Sequence, residues 1–256
     1  MSVELHHRLE GPEDAPVLML SNSLGTTLEM WDSQAAALTE HFRLLRYDSR
    51  GHGRSPAPQG PYSIDALGRD VVGLLDGLGL ERVSFCGLSM GGMVGQWLAI
   101  NAPERVDRLA LCSTSAHMPP ASQWHERAAA VRGQGMAAIT DGAIERWFTP
   151  GFTERAPEVV EPVRRMLLSI EPEGYAASCE AIAAHDLRGQ HSAIQAPTLI
   201  IVGGEDPSTP PEHGKYLASQ IQGARIVELQ AARHLLNIEH PERVARELTE
   251  HLTGGT

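Results

Sequence analysis

Along this 256-residue chain, short apolar runs alternate with stretches in which apolar residues return every third or fourth position. Val17-Leu18-Met19-Leu20, Leu44-Leu45-Arg46-Tyr47, Val83-Ser84-Phe85-Cys86, Leu109-Ala110-Leu111-Cys112 and Leu199-Ile200-Ile201-Val202 read as strands. Their nearly unbroken apolar character fits a parallel sheet covered on both faces. Arg225–Leu229 is a further candidate strand. Between the strands, Ser63 to Leu78 places Ile64, Leu67, Val71, Leu74, Leu75 and Leu78 on one helical stripe, with Ser63 as N-cap. Met90 to Asn101 reads as a second helix. A last helix runs from His240 to Leu252, with Pro241 in its first turn and Gly254-Gly255 as its stop. This alternation predicts an α/β fold with a mostly parallel, doubly wound sheet. The rhythm breaks between about 117 and 186, where no strand is visible. Helical pieces there are punctuated by Pro119-Pro120, Pro150-Gly151, Pro157, Pro162 and Pro172. The expected organisation is a core of residues 1–116 and 187–256 interrupted by a helical cap, 117–186.

The strongest chemical signal is Gly87-Leu88-Ser89-Met90-Gly91, placed after a strand and before a helix. A serine in a G-x-S-x-G turn of that context projects above the sheet edge, and small neighbours let the helix start close to the strands. Ser89 is therefore the expected nucleophile. The Met90 N–H, at the helix N-terminus, is one expected donor to an oxyanion. In this arrangement the acid follows the serine and the histidine comes last. Asp206 lies just past the strand Leu199–Val202 and is the expected acid, with Glu205 and Asp186 as rivals. Of twelve histidines, His234 has the right order and place, between Arg225–Leu229 and the last helix. His52, in the turn Arg50-Gly51-His52-Gly53, reads as structural, and His240 as part of a helix start. The second oxyanion donor is expected from Ser21-Asn22-Ser23-Leu24-Gly25, at the Leu24 N–H.

Composition narrows the class. A net charge of -11 argues against a nucleic-acid partner. No apolar run reaches the roughly 18 residues of a membrane span. Met1-Ser2-Val3-Glu4 shows no secretory pattern, so the expected compartment is cytoplasmic. Cys86, Cys112 and Cys179 form neither a disulfide framework nor a metal pattern.

The turn Asp48-Ser49-Arg50-Gly51-His52-Gly53-Arg54-Ser55, the elbow at Ser89 and the segment from Thr198 to Pro210 resemble the α/β-hydrolase superfamily. More closely, the chain is similar to the 3-oxoadipate enol-lactonases of the β-ketoadipate pathway. The similar stretches are Ser21 to Thr26, Gly87 to Trp97, Arg146-Trp147-Phe148-Thr149-Pro150, and Glu173-Gly174-Tyr175-Ala176 running to Ile182. One departure is Leu236 before Asn237, where the family tends towards serine. The resemblance implies a carboxylic ester hydrolase that needs no metal or organic cofactor and whose substrate is a small five-membered enol-lactone bearing a carboxymethyl group. An anionic substrate in a protein of charge -11 needs a local cation. The expected cap supplies Arg127, Arg132, Arg146, Arg155, Arg164 and Arg165. Trp124 and Arg127, at i and i+3, share a helical face, so Arg127 is the expected carboxylate partner, beside Trp124 and a wall at Trp147. A general carboxylesterase or perhydrolase would share the triad, and a ligand-binding receptor on this scaffold is the reading outside enzymes.

Overall fold

Residues 3–254 are described in a computed structural model of the chain. Met1 and Ser2, part of the start read above, and Gly255, part of the expected helix stop, lie outside them. The apolar runs form β2 (Val17–Ser21), β3 (Arg43–Tyr47), β4 (Val83–Leu88), β5 (Val106–Cys112), β6 (Thr198–Gly203) and β7 (Arg225–Leu229). One further strand, β1 (His7–Glu10), pairs antiparallel with β3 at the sheet edge. The order is β1-β3-β2-β4-β5-β6-β7, and every pairing apart from β1 with β3 is parallel. The central strands β4 and β6 are buried at every position, which requires cover on both faces.

The helices supply that cover. They are α1 (Asp32–Thr39), α2 (Ile64–Gly77), α3 (Met90–Asn101), α4 (Ala121–Gln134), α5 (Ala137–Trp147), α6 (Pro150–Arg155), α7 (Pro157–Leu168), α8 (Pro172–Ala183), α9 (Pro211–Gln220), α10 (Leu236–Glu239) and α11 (Pro241–Leu252). Ser63 caps α2, its hydroxyl accepting from the Ala66 N–H at 3.0 Å. Helix α2 packs on α3, and α1 on α11. Among the described residues no helix is long and apolar enough to cross a membrane.

Helices α4 to α8 fill the interval between β5 and β6, and an isolated bridge, His117 to Asp186, closes its neck. These helices roof the carboxyl ends of the strands, where ligands of open α/β sheets bind. The roof is fastened at several points. The first turn of α8 meets the turn after β3 so closely that a side chain on Gly174 would strike the Gly51 carbonyl oxygen at 2.2 Å. At the opposite side, the Leu235 N–H donates to the Trp147 carbonyl at 3.1 Å. The buried Glu239 carboxylate accepts from the Thr149 N–H at 2.7 Å, the Thr149 hydroxyl at 2.8 Å and the Arg233 N–H at 2.6 Å. The Arg233 guanidinium donates across the same junction to the Glu145 and Phe148 carbonyls. The loop bearing His234 and the end of α5 are thus held as one piece.

Candidate active site

Ser89 joins β4 to α3 with φ 56 and ψ -113, a region that L side chains rarely adopt. The surroundings over-determine that geometry. The Ser89 N–H donates to the Cys112 carbonyl at 2.9 Å. Its carbonyl accepts from the Thr114 hydroxyl at 2.7 Å and the Met93 N–H at 3.0 Å. Glycines are required beside it for lack of room: a side chain on Gly91 would lie 2.4 Å from the Ser21 carbonyl oxygen, and one on Gly92 2.6 Å from the Thr114 side chain. Strain held this firmly at one buried turn is a mark of a functional residue.

Asp206 and His234 come from the loops after β6 and β7, and each is only 3% exposed. His234 Nδ1–H donates to Asp206 Oδ2 at 2.8 Å. The carboxylate is held in turn by the Ser208 N–H at 2.7 Å, the Thr209 N–H at 3.1 Å and the Thr209 hydroxyl at 2.7 Å. Burial opposes its ionisation, but the His234 charge and the His234 and Thr209 hydrogen bonds prevail, holding Asp206 below the usual carboxylate range. The rivals are elsewhere. Glu205 is exposed, and Asp186 is exposed and paired with Arg188 at 2.6 Å. Ser89 and His234 line one cavity, although no hydrogen bond joins the serine hydroxyl to the ring. Such contacts often close only around substrate.

The same cavity is lined by Leu24, Trp124, Arg127 and Trp147, so the structure gathers the expected binding residues around Ser89. The Arg127 guanidinium lies 4.6 Å from the centre of the Trp124 ring, as their spacing on α4 predicts. Arg146 also lines the cavity, with Tyr175, Met93 and Thr209. Burial, and then the charge of Arg127, push the Arg146 guanidinium below its usual range. Among the described residues neither Arg127 nor Arg146 forms an ion pair with a carboxylate. The other arginines of the roof are engaged or outside the cavity. Arg132 bridges Glu173 at 2.8 Å and Glu180 at 2.5 Å, Arg164 pairs with Asp141, Arg165 with Glu161, and Arg155 lies over Phe152. Among the described residues no cluster of three or more His, Cys, Asp or Glu could hold a metal.

The sequence profile of the Alpha/beta hydrolase family matches residues 17–247. This chain belongs to that family. Among its α/β-hydrolase relatives, 3-oxoadipate enol-lactonase 2 of Acinetobacter baylyi is 45% identical over 240 residues, covering 94% of this chain and 90% of the relative. The crystal structure of the enol-lactonase from Burkholderia xenovorans LB400 superposes with a TM-score of 0.96 at 47% identity, covering 98% of this chain and 97% of the other. An esterase from Thermogutta terrifontis, solved with malate bound, gives a TM-score of 0.93 at 32% identity, covering 99% and 94%.

Within this α/β-hydrolase, Leu236 fills the position where serine was expected before Asn237. It is fully buried, and Asn237 next to it donates to the Met30 carbonyl at 2.8 Å. Leu236 adds apolar packing at the base of the loop on which His234 bonds Asp206. Of the three other buried histidines, His52, His185 and His191, burial pushes the first two down to about 4. Their sign is fixed by linkage. As pH falls from about 6.5 towards 4, the unfolded chain binds protons that the folded chain refuses, so stability falls through that window and is full above it. Each site is worth on the order of 3 kcal/mol at the foot of the window. We expect Tm to drop on the order of 10 °C between pH 7 and pH 4.5. Calorimetry that found a flat Tm over this range would show these rings to be charged in the fold.

Proposed function

We propose that this α/β-hydrolase opens the ring of 3-oxoadipate enol-lactone through an acyl-enzyme on Ser89. The observation that carries the reading is the pair of unneutralised guanidiniums, Arg127 and Arg146, in the cavity that also holds Ser89 and His234. Two neighbouring cations without a carboxylate are an unfavourable arrangement that an anionic ligand relieves. In a chain of charge -11 they are also the means by which an anion is attracted at short range. The enol-lactonase relatives, similar along nearly the whole chain, support the same substrate, and a third relative was solved with a dicarboxylate.

Ser89 Oγ attacks the lactone carbonyl carbon as His234 Nε2 takes its proton, and Asp206 holds the ring in the tautomer that leaves Nε2 free to accept. The oxyanion is met by the Met90 and Leu24 N–H groups. Collapse breaks the ring C–O bond, and the enol oxygen takes the proton from His234. The leaving group stays tethered to the acyl-enzyme, so re-closure competes with hydrolysis. Tautomerisation of the enol to the ketone removes that competing nucleophile. Water, deprotonated by His234, then releases 3-oxoadipate. Residues 117–186 act as the cap that carries Trp124, Arg127, Arg146 and Trp147.

The test is turnover of the enol-lactone beside a neutral aryl ester of similar size. Arg127→Ala is expected to lower kcat/KM on the lactone by about 1–3 kcal/mol, the range for a lost charge-assisted hydrogen bond, and to leave the ester nearly unchanged. Arg127→Lys restores only part, since an ammonium lacks the planar fork. Arg146→Ala is expected to behave as Arg127→Ala does, whereas Arg132→Ala affects neither substrate's KM. An equal loss on both substrates would assign the arginines to holding the roof. The second reading, a general carboxylesterase, is favoured by the 32% identical esterase, and predicts faster turnover of the ester than of the lactone.

A further inference from the structure

The loop after β2 is fixed by an unusual set of acceptors. The Ser23 N–H donates to the Met30 sulfur at 3.3 Å, and the Gly25 N–H to His52 Nε2 at 3.0 Å. The Thr26 N–H donates to the Ser23 carbonyl at 3.2 Å, and the Thr27 N–H to the sulfur of Met166, from α7, at 3.4 Å. The Leu28 N–H donates to Asp48 Oδ1 at 2.8 Å. Among the described residues, the Leu24 amide is the one in this run from Ser23 to Leu28 that has no partner.

We propose that His52 is a positioning residue for this loop: its ring nitrogen takes the Gly25 amide and fixes the turn on which the Leu24 amide stays open as an oxyanion donor. The proposal rests on the oxyanion role given to Leu24 above. His52 comes from the turn after β3, is 1% exposed, and uses both ring nitrogens. Nδ1–H donates to the Arg50 carbonyl at 3.2 Å, which leaves the Nε2 lone pair for Gly25. Burial pushes the ring down to about 4, so it is neutral and able to accept across the working range. Gly25 itself has φ +81, and a side chain there would meet Leu167 at 2.6 Å, so the peptide cannot be repositioned by a larger residue. The two thioethers are weak acceptors, and the imidazole is the strong fixed one beside the open amide. A preorganised donor contributes to catalysis only if it does not move as charge develops, and that immobility is what His52 supplies.

The test replaces His52 by Leu, Gln and Asn and measures p-nitrophenyl acetate turnover, binding of a short alkylboronic acid that forms a tetrahedral adduct on serine, and Tm. Gln places its amide oxygen near the position of Nε2; Asn reaches only to that of Nδ1. His52→Leu is expected to lower kcat on the order of 10²-fold, the scale of a lost oxyanion donor, with KM within about threefold. Boronate affinity should fall in parallel. Gln should recover most of kcat and Asn little, at similar Tm. Folded His52→Leu with unchanged kcat would overturn the proposal, as would equal losses in Gln and Asn with boronate affinity unmoved. If the Leu variant does not fold, the Gln and Asn pair decides. The ester assay also separates this proposal from the substrate reading. A protein that cleaves the ester but leaves the lactone untouched loses the substrate and keeps the His52 result.

Discussion

Ser89→Ala lowers turnover of lactone and aryl ester alike by about 10⁴- to 10⁶-fold, because nucleophile and base act as one unit and removing either removes the acylation route. The fold is expected to persist. The elbow is held through the backbone of residue 89, by Cys112, Thr114 and Met93, and none of these bonds involves the hydroxyl. Binding of 3-oxoadipate also persists, since Arg127 and Arg146 remain. Steady-state kinetics and calorimetric titration with 3-oxoadipate check the two halves separately. Near-normal turnover by a purified variant would falsify the acyl-enzyme on Ser89, and loss of binding with intact folding would place the serine in ground-state recognition.

Asp206→Asn is expected to cost about 10³- to 10⁴-fold in kcat with little change in Tm. The geometry says why. Oδ1 accepts the Ser208 and Thr209 N–H groups, so the oxygen of an asparagine is retained there. Its NH₂ then occupies the place of Oδ2, facing His234 Nδ1 and the Thr209 hydroxyl. A donor facing Nδ1 moves the ring proton to Nε2, where it blocks acceptance of the serine proton. Glu205→Gln, on an exposed side chain of the same loop, should stay within about twofold of the parent by the general neutrality of surface substitutions. Reversal of the two effects would assign the acid to Glu205.

The sheet was readable wherever a strand is buried on both faces, because apolar character is then required at each position. β1 gave no such signal. His7-Arg8-Leu9-Glu10 is an edge strand, half-buried throughout, whose alternation is masked by charges that reach solvent. The short helices α1 and α9 passed unread for a similar reason, since each buries only two residues. At the site, the elbow and the order acid-then-histidine were local patterns and could be read. The choice of cation was less so. Arg127 followed from its spacing to Trp124, but Arg146 was one of six arginines in the cap. What distinguishes it is that Glu173, Glu180, Asp141 and Glu161 neutralise others and leave it alone. Apart from Glu161 with Arg165, both on α7, those pairings join different helices and carry no signature along the chain. Nothing along the chain marks Tyr175 as a cavity residue, and the Thr209 hydroxyl reaches the Asp206 carboxylate only once the loop after β6 is folded.

The junction of Leu235, Arg233 and Glu239 with residues 145–149 has a consequence for recombination. The roof carries the residues proposed to hold the substrate, yet its α5 end is also a mooring for the loop bearing His234. An exchange of residues 121–183 for the corresponding piece of another hydrolase must return carbonyls in place of those of Glu145, Trp147 and Phe148, and donors in place of the Thr149 N–H and hydroxyl. A graft that fits the ligand but lacks these anchors would bind tightly and turn over slowly. Point changes on the inward faces of α4 and α5 leave the mooring untouched, so they are the shorter path to a new specificity.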